Sequence, residues 1–237
     1  MDHAIELRQL EVDYGARRVI DGLDLAVPRG CVYALLGGNG AGKTTTINTL
    51  LGFVPPRAGE VLIGGRRLRD DPALSRQLAY LPENVALYPY MSGAENLIYF
   101  CAVSGASIAR DRASAMLLEA GLDARFHDQR VATYSKGMRQ KVGLAVAYAR
   151  SAVAMLLDEP TSGLDPAAAN DFALQIRAAG ARGIGVLMAT HDLFNAKQVA
   201  DRIGIMRHGR LVAQMNADEV GHAELEALYL EHARVAA

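Results

Sequence analysis

Tryptophan is absent from this chain, and only two cysteines occur in it. Cys31 and Cys101 are far apart and neither belongs to a C-x-x-C pair. Neither a disulfide framework nor a zinc site is expected, a reducing cytoplasmic setting fits, and both cysteines are expected as small buried hydrophobes. The six histidines form no metal-ligand cluster with them. An excess of charge of either sign is also missing, since the formal net charge is −1. That removes the basic footprint of a nucleic-acid binder, and no acidic tail appears. The longest apolar run, Ala152 to Leu157, is far short of the roughly 20 residues that a spanning helix needs. The start, Met1-Asp2-His3-Ala4-Ile5-Glu6, carries no basic stretch followed by an apolar one, so no secretory leader is expected. Repeats and low-complexity segments are lacking too. The expectation is a chain soluble by itself.

What is present is enough apolar content, 51% of 237 residues, to bury a sizeable core. Residues 4–12 and 19–27 read as two strands around Tyr14-Gly15. Cys31 to Leu36 is a short continuous apolar run, the mark of a strand buried on both faces. A glycine-rich turn and a helix over about 42–51 follow, then a strand and turn over 60–65. Residues 84–150 change to helical spacing. Ser92 with Glu95 forms a capping box that opens a helix through Tyr99, and further helices are predicted over 110–120 and 137–149. Alternation then resumes: strands at 153–157, 184–189 and 202–206, helices at 166–179 and 192–199, and a turn at Gly209 into Leu211-Val212. Such alternation predicts an α/β fold with a mostly parallel sheet. It is read as one domain over 1–237, with a core of 1–83 and 151–237 and a helical subdomain over about 84–150.

Gly37-Gly38-Asn39-Gly40-Ala41-Gly42-Lys43-Thr44 fits the pattern G-x-x-x-x-G-K-[ST] in full and lies between a predicted strand and a predicted helix. A chance match in a chain of this length is of order one in a hundred. Glycines let several N–H groups turn inward toward phosphate oxygens, and the helix start adds its positive dipole end. Lys43 is placed to reach the β- and γ-phosphates and Thr44 to ligate Mg²⁺. Thr45 is counted with the same loop. A second half-site follows four apolar residues, at Asp158-Glu159. Acids there are carried to the carboxyl end of a buried strand, where open parallel sheets bind ligands. Asp158 can hold the metal and Glu159 can polarise an attacking water. Taken alone, the pair would be two solvated charges at a strand end.

The order of motifs resembles the ABC-type ATPases from residue 4 to about 215. Tyr134-Ser135-Lys136-Gly137-Met138-Arg139-Gln140 stands where that family carries Leu-Ser-Gly-Gly-Gln. Asp158 to Pro166 stands at its Walker B and D-loop string, and His191 at its switch histidine. The resemblance implies a P-loop NTPase (RecA-like) core, an N-terminal antiparallel β subdomain and an inserted α-helical subdomain. It implies head-to-tail pairing with a second ATP-binding subunit, read as a homodimer. Ser135, Lys136, Gly137 and Met138 would then cover ATP held by the partner, Asp165 would run along the seam, and His191 would contact the γ-phosphate or hold the water. Tyr14 matches the adenine-stacking aromatic. Glu83 stands where the family has glutamine, and is read as a metal and water ligand. Singly, Tyr14 would be a packed side chain and His191 a structural histidine; their joint spacing makes the family reading.

Leu81-Pro82-Glu83-Asn84 and the altered signature resemble the exporter branch, which moves drugs, lipids, polysaccharides or peptides and includes an ATPase of nitrous-oxide reductase maturation. The expectation is a cytoplasmic ATPase, peripheral on the inner face of the cell membrane through an integral membrane permease subunit, with ATP and Mg²⁺ and without nucleic acid. The permease would dock near Leu87, Tyr88 and Tyr90, while Leu97, Ile98 and Phe100 would pack the helical subdomain. A soluble ATPase acting on nucleic acid or ribosomes, and a sensor that binds without turnover, are the competing readings.

Overall fold

The computed structural model describes residues 2–234. Two long strands come first, β1 (His3–Tyr14) and β2 (Arg17–Pro28), paired antiparallel. β4 (Ala58–Ile63) pairs with β1, and the short β5 (Arg66–Arg67) pairs with β4, giving an antiparallel sheet in the order β2-β1-β4-β5. The second sheet holds six strands in the order β10-β9-β3-β8-β7-β6. These are β3 (Val32–Leu36), β6 (Leu78–Leu81), β7 (Ala154–Asp158), β8 (Gly185–Thr190), β9 (Arg202–Arg207) and β10 (Arg210–Asn216). All pairings are parallel except β10 with β9.

Buried parallel strands need apolar side chains on both faces, and period-2 alternation sorts them. On β3, Val32, Ala34 and Leu36 join one core, while Tyr33 and Leu35 join the other. β7 and β8 divide in the same way: Met155, Leu157, Val186 and Met188 face the first core, and Ala154, Leu156, Leu187 and Ala189 the second. The second core is closed by the antiparallel sheet and by α1 (Lys43–Leu50), which contributes Ile47 and Leu50. The first is covered by helices, among them α5 (Pro166–Ala181) through Phe172 and Ile176.

Three helices lie between β6 and β7: α2 (Gly93–Val103), α3 (Arg110–Glu119) and α4 (Lys136–Ala149). The expected capping box is present. The Ser92 hydroxyl accepts from Glu95 N at 3.2 Å, and the Glu95 carboxylate accepts from Ser92 N at 2.7 Å. The P-loop NTPase core, the antiparallel β subdomain and the inserted helices are all as expected. β6, α6 (Leu193–Val199) and α7 (His222–Arg234) complete the chain; β6 and α7 were not among the predicted elements. β6 is only four residues long, too short for periodicity to mark it; α7 does carry apolar residues at helical spacing, Leu225, Leu228 and Tyr229, and the sequence reading missed it. Cys101 is buried as expected, but Cys31 is only partly so, because it precedes β3 at the sheet margin. Burial pushes its thiol up to about 11.

Candidate active site

Register brings the site together. Leu36 aligns with Thr190, Ala189 with Asp158, and Leu157 with Leu81. The chain therefore leaves β3, β8, β7 and β6 along one edge of the sheet, at their carboxyl ends. This is where open α/β sheets bind ligands.

The loop after β3 is the glycine-rich segment that the sequence reading assigns to phosphate. Gly42 is the N-cap of α1 at φ 112°, a conformation that a side chain resists. A Cβ there would meet Met206 Cε at 2.7 Å, and one on Gly37 would meet the Met206 carbonyl oxygen at 2.6 Å. The loop is thus pressed onto β9 by close packing. Lys43 is buried at 6% exposure, and its Nζ donates to the Gly37 carbonyl at 2.5 Å. Glu159 Oε1 lies 3.6 Å from the same Nζ. A buried ammonium needs such partners, and one held against a glycine-rich loop at a helix start suits a triphosphate.

Asp158 ends β7, and its Oδ2 accepts from Thr44 Oγ1 at 3.2 Å. Burial pushes the Asp158 carboxyl above the usual range. The Thr44 hydrogen bond pulls it partly back, and the Glu159 and Glu83 charges push it further up. A hydroxyl and a crowded carboxylate side by side form a hard-oxygen donor pair suited to Mg²⁺. Glu159 has φ 46°, a strained backbone for a residue with a side chain. Its N–H donates to the Ala189 carbonyl at 2.9 Å, which holds that turn. The Glu159 Oε2 accepts from Thr190 Oγ1 at 3.0 Å and lies 2.9 Å from His191 Nδ1. The acid is thus fixed by a hydroxyl and a histidine beside the Lys43 ammonium.

A cavity of about 410 Å³ is lined by Gly38 to Thr45 together with Arg17, Val19, Glu83, Asp158 and Glu159. Arg17 and Val19 were not among the predicted residues, and no spacing rule points to a hairpin residue far from the glycine loop. Thr190 was likewise missed as a partner of Glu159. Tyr14 sits at the end of β1, half-exposed, outside this lining.

The signature residues begin α4. Ser135 is exposed and is the N-cap, its hydroxyl accepting from Met138 N at 3.2 Å. Gly137 is buried and Met138 half-buried. The Lys136 side chain turns toward its own chain, to the Ser162 carbonyl and Glu83. Asp165 is the N-cap of α5 and accepts from Ala168 N at 2.9 Å. Among the described residues, no helix is long and apolar enough to cross a membrane.

Comparisons with known proteins agree with this geometry. Residues 20–162 match the ABC transporter family profile. The daunorubicin/doxorubicin resistance ATP-binding protein of Streptomyces peucetius is 38% identical over 221 residues, covering 92% of this chain and 66% of that protein. The Nod factor export ATP-binding protein I of Burkholderia orbicola is 36% identical over 212 residues, covering 89% of this chain and 70% of that one. The solved structure of an ATP-binding subunit of an ABC transporter superposes with a TM-score of 0.83 at 34% identity, over 98% of this chain and all of that one. With the phosphate cradle, the strand-end acids and the signature helix in one chain, this protein belongs to the ABC transporter family as an ATP-binding, ATP-hydrolysing subunit.

Proposed function

We propose that this chain is the motor of an exporter, pairing with a second copy of itself and driving a separate integral membrane permease. The observation that carries hydrolysis is the fixing of Glu159 by Thr190 and His191 beside Lys43. Lys43 and the loop amides grip the phosphates of ATP. Thr44 and Asp158, with Glu83, would hold Mg²⁺, which would supply charge neutralisation on the phosphates. Glu159 accepts the proton of the attacking water, and His191 keeps that carboxylate in place. Tyr14 stacks on adenine from the hairpin end. Ser135 and the Gly137 amide face the nucleotide of the other copy, with Met138 beside them, and Asp165 lies on the seam. The exposure of Ser135 at a helix start supports that role, since such a start favours an anion.

Export as the direction is supported by the resistance and export roles that the relatives' names carry. Residues 84–150 are read as the helical subdomain that receives the permease, which holds the chain at the inner membrane face. The fixed base speaks against a sensor without turnover. The net charge of −1 disfavours a nucleic-acid partner. The test is purification of the chain with its permease and measurement of transport in inside-out vesicles. ATP-dependent accumulation inside them is expected. ATP-dependent transport only in the opposite direction, or ATPase activity stimulated by ribosomes instead of the permease, overturns the reading.

A further inference from the structure

Two positions at which this chain departs from its family's usual signature and Q-loop residues face each other. Glu83 follows β6, Lys136 opens α4, and Ser162 lies in the loop after β7. The Ser162 hydroxyl donates to Glu83 Oε1 at 2.9 Å. Lys136 Nζ donates to the Ser162 carbonyl at 2.6 Å and lies 3.7 Å from the same Glu83 oxygen. The three groups form a closed ring from three separate segments.

The ring borders a cleft already rich in negative charge. Glu83, Asp158 and Glu159 all line it, against Arg17 and Lys43. The Glu83 charge is one of the causes that raise Asp158. An uncompensated third carboxylate would oppose a polyphosphate and over-attract a divalent cation. The family's usual glutamine and glycine carry no charge at the matching positions; here both are charged, with opposite signs, and in contact.

We propose that Lys136 is a positioning residue for hydrolysis, which neutralises Glu83 and ties the loops after β6 and β7 to the start of α4 within its own chain. It is not a ligand to the nucleotide held by the other copy. The Lys136 and Glu83 side chains are 27% and 48% exposed, so the pair adds little to folding stability. Its effect is on the field in the cleft. The ring also gives the helical segment a direct hold on the catalytic edge: a movement of α4 is felt at Glu83 and at Ser162, three residues from the base.

The inference rests on the cleft holding Mg²⁺ and ATP, and the experiment separates the two. In the full chain carrying Glu159→Gln, ATP and Mg²⁺ binding are measured by calorimetry for Lys136→Met, Glu83→Gln and the double variant. Binding of ATP by the Glu159→Gln parent tests the cleft; the cycle tests the pair. Lys136→Met is expected to weaken metal-free ATP binding roughly three- to tenfold and to tighten Mg²⁺ on the ATP-bound protein. Glu83→Gln shifts both the other way, and the double variant returns both to within roughly twofold of the parent. Lys136→Arg, which keeps the charge, restores them. With Glu159 intact, turnover falls in Lys136→Met and recovers in the double. Melting temperatures stay together throughout; if Lys136→Met fails to fold, Lys136→Gln carries the same test. Independent effects of the two substitutions overturn the proposal. So does a Lys136→Met defect confined to ATP-driven pairing, which would put the lysine on the other copy's nucleotide.

Discussion

Glu159 combines three constraints at one residue: a positive φ, an N–H tied to Ala189, and a carboxylate held by Thr190 and His191. A left-handed backbone costs on the order of 1–3 kcal/mol and persists where surroundings enforce it. Glu159→Gln keeps the shape and the phosphate cradle but removes the base. Turnover should fall by roughly 10²–10⁴-fold with ATP binding kept, as read by single-turnover hydrolysis and equilibrium binding. Turnover close to that of the unmodified protein would remove Glu159 from its role. Asp158 gives the opposite signature in stability. Its folded-state carboxyl is raised, so the native chain holds that proton more tightly than the unfolded one. The raised group therefore costs the fold stability as pH climbs past the usual carboxylate range, and the cost is absent in strong acid. Asp158→Asn should melt higher than the parent at neutral pH without ligand, with the two curves converging toward acid, while Mg²⁺-dependent turnover is lost. A variant that melts lower at neutral pH would refute the linkage.

At the scale of elements, the loop entering α2 separates packing from contact. Leu97 is fully buried, and Ile98 and Phe100 are partly so. Tyr88 stands edge-on to Tyr99 with ring centres 4.8 Å apart, and its hydroxyl lies 3.2 Å from that of Tyr99. Tyr90 is 83% exposed. Exposed aromatic rings suit a partner's core contacts. Tyr90→Ala should leave melting and ATP binding unchanged and weaken co-purification with the permease. Tyr88→Ala should do the same and also lower melting slightly, since an aromatic pair is worth about 0.5–1.5 kcal/mol beyond area burial. Undiminished co-purification of the double variant would move the docking surface elsewhere.

For the whole molecule, the question is how one chain completes a site. Lys43, Asp158 and Glu159 gather in one cleft, whereas Ser135 opens α4 and is absent from that lining. That separation is consistent with the proposed composite site formed by two copies. ATP added to Glu159→Gln should convert a monomer into a dimer in a sizing experiment, and Ser135→Arg should block the conversion by filling the anion position. A stable ATP-bound monomer at high protein concentration would contradict pairing.

The glycine loop, the acids after a buried strand and the alternation of strands and helices are local patterns, so the chain order alone determined the phosphate site, the fold class and the Ser92–Glu95 cap. Backbone geometry at a phosphate cradle depends on residues adjacent in sequence, which is why it could be read there. The same holds for Gly42, whose conformation a side chain resists. Tertiary structure decided what depends on distant segments meeting. It brought Arg17 from the first hairpin into the cleft and set Thr190 against Glu159. β6 was recognisable only through its pairing with β7, because four residues carry too little periodicity of their own. Lys136 and Glu83 each read as a separate departure from a family pattern. They are far apart in sequence, and only the packing of α4 beside the ends of β6 and β7 places opposite charges together. Electrostatic pairing depends on distance in space, and sequence separation does not fix it.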